Sequence, residues 1–237
     1  MNDNSESLNN LLLRLNACED AREWGNTQPD LRTAWSVCQR ADWMLWLAEM
    51  LLPRESVVLA ACDCAETAVH LIEDGGSQMA ALFALHIARE WTEGREDLET
   101  VRAVADAVSA STLGRDSVSY AAAASSYAAN IANDANGYAI DAAAYAASYA
   151  ASSYAADPAA DEAFYNRLTY TVAHAATAGV PATGKHPKAP ACVPRSPSWV
   201  SRSTVARAAA DAALSRMADL VRTCISADMI CEVQNER

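Results

Sequence analysis

Histidine and cysteine are the side chains here best suited to hold a metal or attack a substrate, and their spacing decides whether they can. Four histidines are present: His70, His86, His174 and His186. None lies four residues from another, so the helical His pair of a zinc protease is absent. His70 has Glu66 and Asp74 four residues to either side, and His86 stands in the same relation to Glu90. On a helix such residues are neighbours along one face, and an ordinary side-chain pair is preferred over a ligand set. Cys62 and Cys64 form a Cys-x-Cys, with His70 two turns later and Cys38 upstream. Side chains two apart on a helix point about 200° away from each other, so both thiols cannot face one ion unless the helix unwinds. Two core cysteines, acting as small hydrophobes, are expected instead. Glu73-Asp74 and Glu96-Asp97 read as helix ends, not as an acid paired with a base. No Gly-x-Ser-x-Gly, phosphate-cradling glycine loop or Cys-x-x-Cys occurs. The reading is a protein that is no enzyme and needs neither metal nor cofactor.

The elements that would position any site are helical. The chain has 237 residues, 51% of them apolar, and much of that share is alanine, the best helix former. No window shows the alternation of β-branched and aromatic residues that a half-buried strand needs. The expected class is all-α, an irregular bundle or stack of antiparallel helical hairpins with an Ala/Tyr-rich second half. A first helix carries Leu8, Leu11, Leu12 and Leu15 on one face and runs on to Trp24, with a break at Asn16 and an end at Gly25. Asp30 caps the next, Asp42 the one after, and Pro53 forbids its continuation. Residues 54–73 form the most apolar helix, with Val57, Val58, Ala61, Cys64, Ala65, Ala68 and Leu71 on its buried side. Gly75 and Gly76 make a turn, a helix spans 77–93 up to Gly94, and another runs from about Asp97 to Thr112.

Composition then divides the chain. Residues 1–115 are the acidic Trp/Cys part, 116–178 the Ala/Tyr-rich part, 179–198 a Pro-rich linker and 199–237 a closing helix with a frayed tail, all within one continuous domain. All eight tyrosines lie between Tyr120 and Tyr170. Tyr120, Tyr127, Tyr138, Tyr145 and Tyr149 stay within about 20° of one line on a helix, which reads first as a core seam. That small-residue seam suits a homodimer as well as an intramolecular hairpin. The segment 179–198 holds five prolines and two glycines and cannot be helical.

Charge points toward the class of partner. The net charge is −12; residues 1–100 carry 18 acidic and 7 basic residues, −11, and the rest 12 and 11, −1. Such a field repels nucleic acid and anionic membrane and steers basic partners in, and no basic stripe offers phosphate contacts. The opening MNDNSESLNN is polar and no apolar run nears the roughly 20 residues of a membrane span, so a cytoplasmic, reducing location is expected. Trp35, Trp43 and Trp46 bring three indoles within twelve residues. They anchor either the core or an interface hot spot, and the apolar Leu45 and Leu47 around them favour the core.

Three segments carry a family resemblance: NACEDAREW (16–24), AWSVCQRADWMLWLAE (34–49) and VLAACDCAETAVHLIE (58–73). With IAREWTEG (87–94), LETVRAVADAV (98–108) and SRMADLVRTCIS (215–226), they resemble the immunity proteins of bacterial polymorphic toxin systems, a family also carried by phages. The resemblance spans nearly the whole chain except 179–198. It implies a non-enzymatic, all-α inhibitor that binds a cognate toxin. The acidic N-terminal half fits a target with a basic surface. The contact is expected around Asp42, Trp43, Trp46, Glu49 and Asp63. The competing readings are a phage counter-defence inhibitor (anti-CRISPR-like, mimicking nucleic acid and binding a host defence component), a small-ligand or nucleotide binder using the Tyr stripe, and an oligomerising scaffold.

Overall fold

Short polar side chains, one proline and one left-handed glycine set most of the helix ends. The structure, a computed structural model, describes residues 7–70, 72, 74–110, 128 and 204–236. Those residues hold nine helices and no strand: α1 Leu8–Arg14, α2 Glu19–Gly25, α3 Leu31–Val37, α4 Ala41–Leu51, α5 Arg54–Val69, α6 Gly75–Thr92, α7 Leu98–Ala110, α8 Thr204–Cys224 and α9 Ala227–Glu236. The protein is all-α in this part. Leu71, the Tyr stripe, the Ala/Tyr-rich part apart from Ala128, and the Pro-rich segment lie outside the described residues.

The local signals act as their chemistry requires. Asn16 takes φ 61°, a left-handed conformation that Asn tolerates, and this splits the first helical run into α1 and α2. The Asp30 carboxylate accepts from the Thr33 N–H at 2.6 Å, satisfying a free donor of α3. Pro53 takes the N-cap of α5, where its missing N–H does no harm. Gly94, at φ 72°, follows α6, and the Asp97 carboxylate accepts from Thr100 N–H at 2.8 Å to open α7.

Three expectations are corrected. Gly75 and Gly76 are not the turn: Asp74 caps α6, accepting from Ser77 N–H at 2.6 Å, so both glycines fall in the first helical turn. Asp42 is not a cap. Arg40 takes the cap position without a side-chain bond, and Asp42 lies inside the first turn of α4. The C-terminal tail is not frayed, because α9 follows α8 after a short bend and buries Ile230 completely.

Helix α5 is the element the others surround. It packs against α4, α6 and α8, while α7 lies on α6, α2 on α1, and α9 on α3 and α4. Its small residues let three neighbours approach, so Val57, Val58, Ala60, Ala61, Cys62, Cys64, Ala65, Ala68 and Val69 are all buried. The Cys-x-Cys is divided by helix geometry as its spacing requires. Cys62 Sγ lies 3.9 Å from the carbonyl of Leu85 on α6, and Cys64 Sγ 3.9 Å from that of Met217 on α8.

Polar bonds then join the two ends of the chain. Trp35 Nε1 donates to the Ile225 carbonyl at 3.0 Å, and Arg222 Nη1 donates to the Cys38 carbonyl at 2.7 Å. An exposed Arg32–Asp228 pair at 2.5 Å adds a third link.

Candidate protein-interaction surface

The five residues expected to contact a partner are not equally available. Asp42 is 1% exposed and Trp46 2%, so both belong to the interior. Burying a carboxylate is costly unless it is paired, and Arg40 supplies the pair: Nε donates to Oδ1 at 2.8 Å and Nη2 to Oδ2 at 2.5 Å. Trp43 is half-buried, 6.0 Å from Trp24 and tilted 56° to it, with the Arg40 guanidinium 4.5 Å from its ring centre. Glu49 is half-buried on the same helix. Asp63 lies on α5, and with Asp42 and Trp46 buried the five do not form one exposed patch. The core reading of the indoles holds for Trp35 and Trp46, and only Trp43, Glu49 and Asp63 keep surface to offer.

Asp63 belongs to a cluster that spacing alone did not reveal. Arg89 of α6 reaches across to α5, donating to Asp63 at 2.8 Å and to Glu66 at 2.5 Å through the same nitrogen. From α8, Cys224 Sγ lies 3.2 Å from the other Asp63 oxygen, and the thiol is its donor. Burial and that bond push the Cys224 thiol up to about 12, so it stays protonated. Burial does the same to Cys62, up to about 12, and to Cys38, up to about 11. A thiol in this state is a poor nucleophile and a poor metal ligand. Among the described residues no group of three or more His, Cys, Asp and Glu is placed to hold a metal ion.

The pattern repeats at the end of α6. Arg95 is shared by Glu90 and Glu93, and its bonds hold the Glu90 carboxyl below its usual range. Two guanidiniums therefore serve four carboxylates, Asp63, Glu66, Glu90 and Glu93, leaving a local surplus of two negative charges (+2 − 4). His86 stands 3.9 Å from Glu90, the neighbour relation expected of an i, i+4 pair.

Between these clusters and the start of α6 the surface turns apolar. Met79 is 66% exposed, Phe83 51% and Leu82 38%, with exposed His86 next along the same face. Their i, i+3, i+4, i+7 spacing makes a stripe opposite the buried Ala81, Ala84, Leu85 and Ala88. Scattered exposed apolar residues are ordinary, but three adjacent on one helix form a patch. The sequence carried only part of the signal. AALFALHIA is apolar on more than one side, but nothing in the spacing says which side stays exposed.

A search of protein-family models, curated proteins and solved structures finds no match to this chain. The likeness to immunity proteins rests on the sequence segments quoted for it. Among the described residues no helix is long and apolar enough to cross a membrane.

Proposed function

We propose that this chain is a non-enzymatic protein inhibitor that binds and neutralises a partner protein, most simply an immunity protein against a toxin. One observation carries the reading: the exposed Met79, Leu82 and Phe83 stripe lies on the helix whose far end bears the surplus of carboxylates. Apolar anchors beside charged groups are the anatomy of a protein interface, in which the apolar residues supply affinity and the charges supply steering. A basic partner fits the negative sign. The stripe also separates this reading from nucleic-acid mimicry by a counter-defence inhibitor, because a mimic displays carboxylates and not Met and Phe.

The test is affinity capture from host cells with tagged wild type and with Phe83→Asp, read by mass spectrometry. The expected result is one stoichiometric basic protein that wild type retains, high salt releases and the variant fails to retain. A toxin in that position supports immunity, and a host defence subunit supports counter-defence. No retained protein, or equal retention by the variant, refutes the interface.

A further inference from the structure

A second feature lies apart from the α5–α6 surface, where α1, α2, α3 and α4 meet around a half-enclosed space of about 40 Å³. Four of the six tryptophans of the protein border it: Trp24, Trp35, Trp43 and Trp46. Trp35 and Trp46 are buried, whereas Trp24 and Trp43 are partly exposed and stand at the mouth, 6.0 Å apart. The wall is apolar throughout. Ala21 of α2 and Ala34 of α3 line it too, and their short side chains are what leave the space open.

The chemistry of an occupant follows from the size, the wall and the charge at the rim. A water needs roughly 10–15 Å³ of such space and two or more polar partners to stay in it. The wall provides no polar partners, so water is held poorly there and a hydrocarbon group displaces nothing well bonded. By that measure the volume suits about three small groups. The nearby cation is already paired: Arg40, against Trp43, donates through Nε and Nη2 to the Asp42 carboxylate. No residue that lines the space carries a charge, so a charged ligand of either sign meets no counter-charge on the wall and would have to give up water for nothing.

We infer that the Trp24–Trp35–Trp43–Trp46 space is a binding site for a small uncharged molecule bearing a branched hydrocarbon end of about three carbon atoms. The branched end enters between Trp35 and Trp46, and the rest of the molecule lies at the Trp24–Trp43 mouth. The inference does not depend on the partner-protein reading.

The test uses the full chain and three probes that share one branched end: 3-methylbutan-1-ol, isovalerate and 3-methylbutylamine. Because four indoles border the site, tryptophan fluorescence reports occupancy directly. The expected result is a saturable change with the alcohol, half complete at roughly 1 mM, and at least tenfold weaker binding of both charged probes. Filling the space with Ala34→Leu should abolish saturation while the far-UV spectrum is kept. Ala21→Val, a smaller intrusion, serves the same purpose if Ala34→Leu fails to fold. A change that never saturates in wild type, or saturation that survives in the folded filled variant, overturns the site. Isovalerate or the amine binding as tightly as the alcohol overturns the assignment to an uncharged ligand.

Discussion

Two buried tryptophans offer a controlled comparison. Trp35 and Trp46 are both almost inaccessible, but Trp35 Nε1 donates to Ile225 at 3.0 Å whereas Trp46 Nε1 is buried with no acceptor. Replacing either by Phe removes the N–H and part of a packed ring. The packing loss is about 1 kcal/mol in each case and largely cancels in the difference. For Trp35→Phe the hydrogen bond goes as well and the Ile225 carbonyl loses its donor, adding about 1–3 kcal/mol. For Trp46→Phe a donor that was already unsatisfied disappears, returning a similar about 1–3 kcal/mol. The expected outcome is a destabilisation of about 2–4 kcal/mol for Trp35→Phe and none, or a slight gain, for Trp46→Phe. Urea unfolding followed by far-UV circular dichroism measures both without relying on the mutated fluorophores. A Trp46→Phe protein as destabilised as Trp35→Phe would refute the account of where the indole N–H groups find partners.

Ile230→Ala should cost about 2–5 kcal/mol in the same urea assay, because the side chain is fully buried; a loss below 0.5 kcal/mol, as for a frayed tail, would contradict the packing of α9. The Asp30, Asp74 and Asp97 carboxyls are held below their usual range by backbone N–H bonds from Thr33, Ser77 and Thr100. Their stabilisation is complete above the ordinary carboxylate pKa and fades as pH falls through the lowered values; Asp74→Ala should weaken this acid sensitivity in a circular-dichroism titration, and an unchanged acid midpoint would count against it. The thiols behave with the opposite sign. With Cys38 raised to about 11 and Cys62 to about 12, their contribution is intact below pH 9 and lost as pH rises toward those values. Labelling by iodoacetamide at pH 7.5 should accordingly leave Cys62 and Cys64 unmodified in the native protein, and rapid labelling of either would show that α5 is not enclosed.

Legibility in the sequence followed the range of the interaction. Asp30, Pro53, Gly94 and the break at Asn16 were readable because each acts on backbone within one turn. The divergence of Cys62 and Cys64 followed from 100° per residue alone. Asp42 was misread because its partner, the Arg40 guanidinium, satisfies it only when α4 lies against the core, and a short acid before an apolar run looks the same as a cap. The burial of Ile230 depends on α3 and α4, nearly two hundred residues earlier, which no local window contains. For the candidate surface, Asp63 was recognised as acidic but its sharing of Arg89 with Glu66 was not. The Met79, Leu82 and Phe83 stripe stayed hidden because α6 is apolar on more than one side, and only the packing tells which side is left exposed.

The bond between Trp35 and Ile225 spans 190 positions, and Cys64 meets Met217 across 153. During synthesis, therefore, the first five helices emerge long before the helices that complete their core. At about 5–20 residues per second the wait between finishing α5 and making α9 is roughly 10–30 s. For that interval the face of α5 that awaits α8 stays open to solvent, with Cys64 and its small neighbours exposed to mispairing or to a chaperone. Closing so long a loop also costs entropy that only the final contacts return, so the last helices act as a late latch, and refolding should be slow beside that of a helical protein of local contacts.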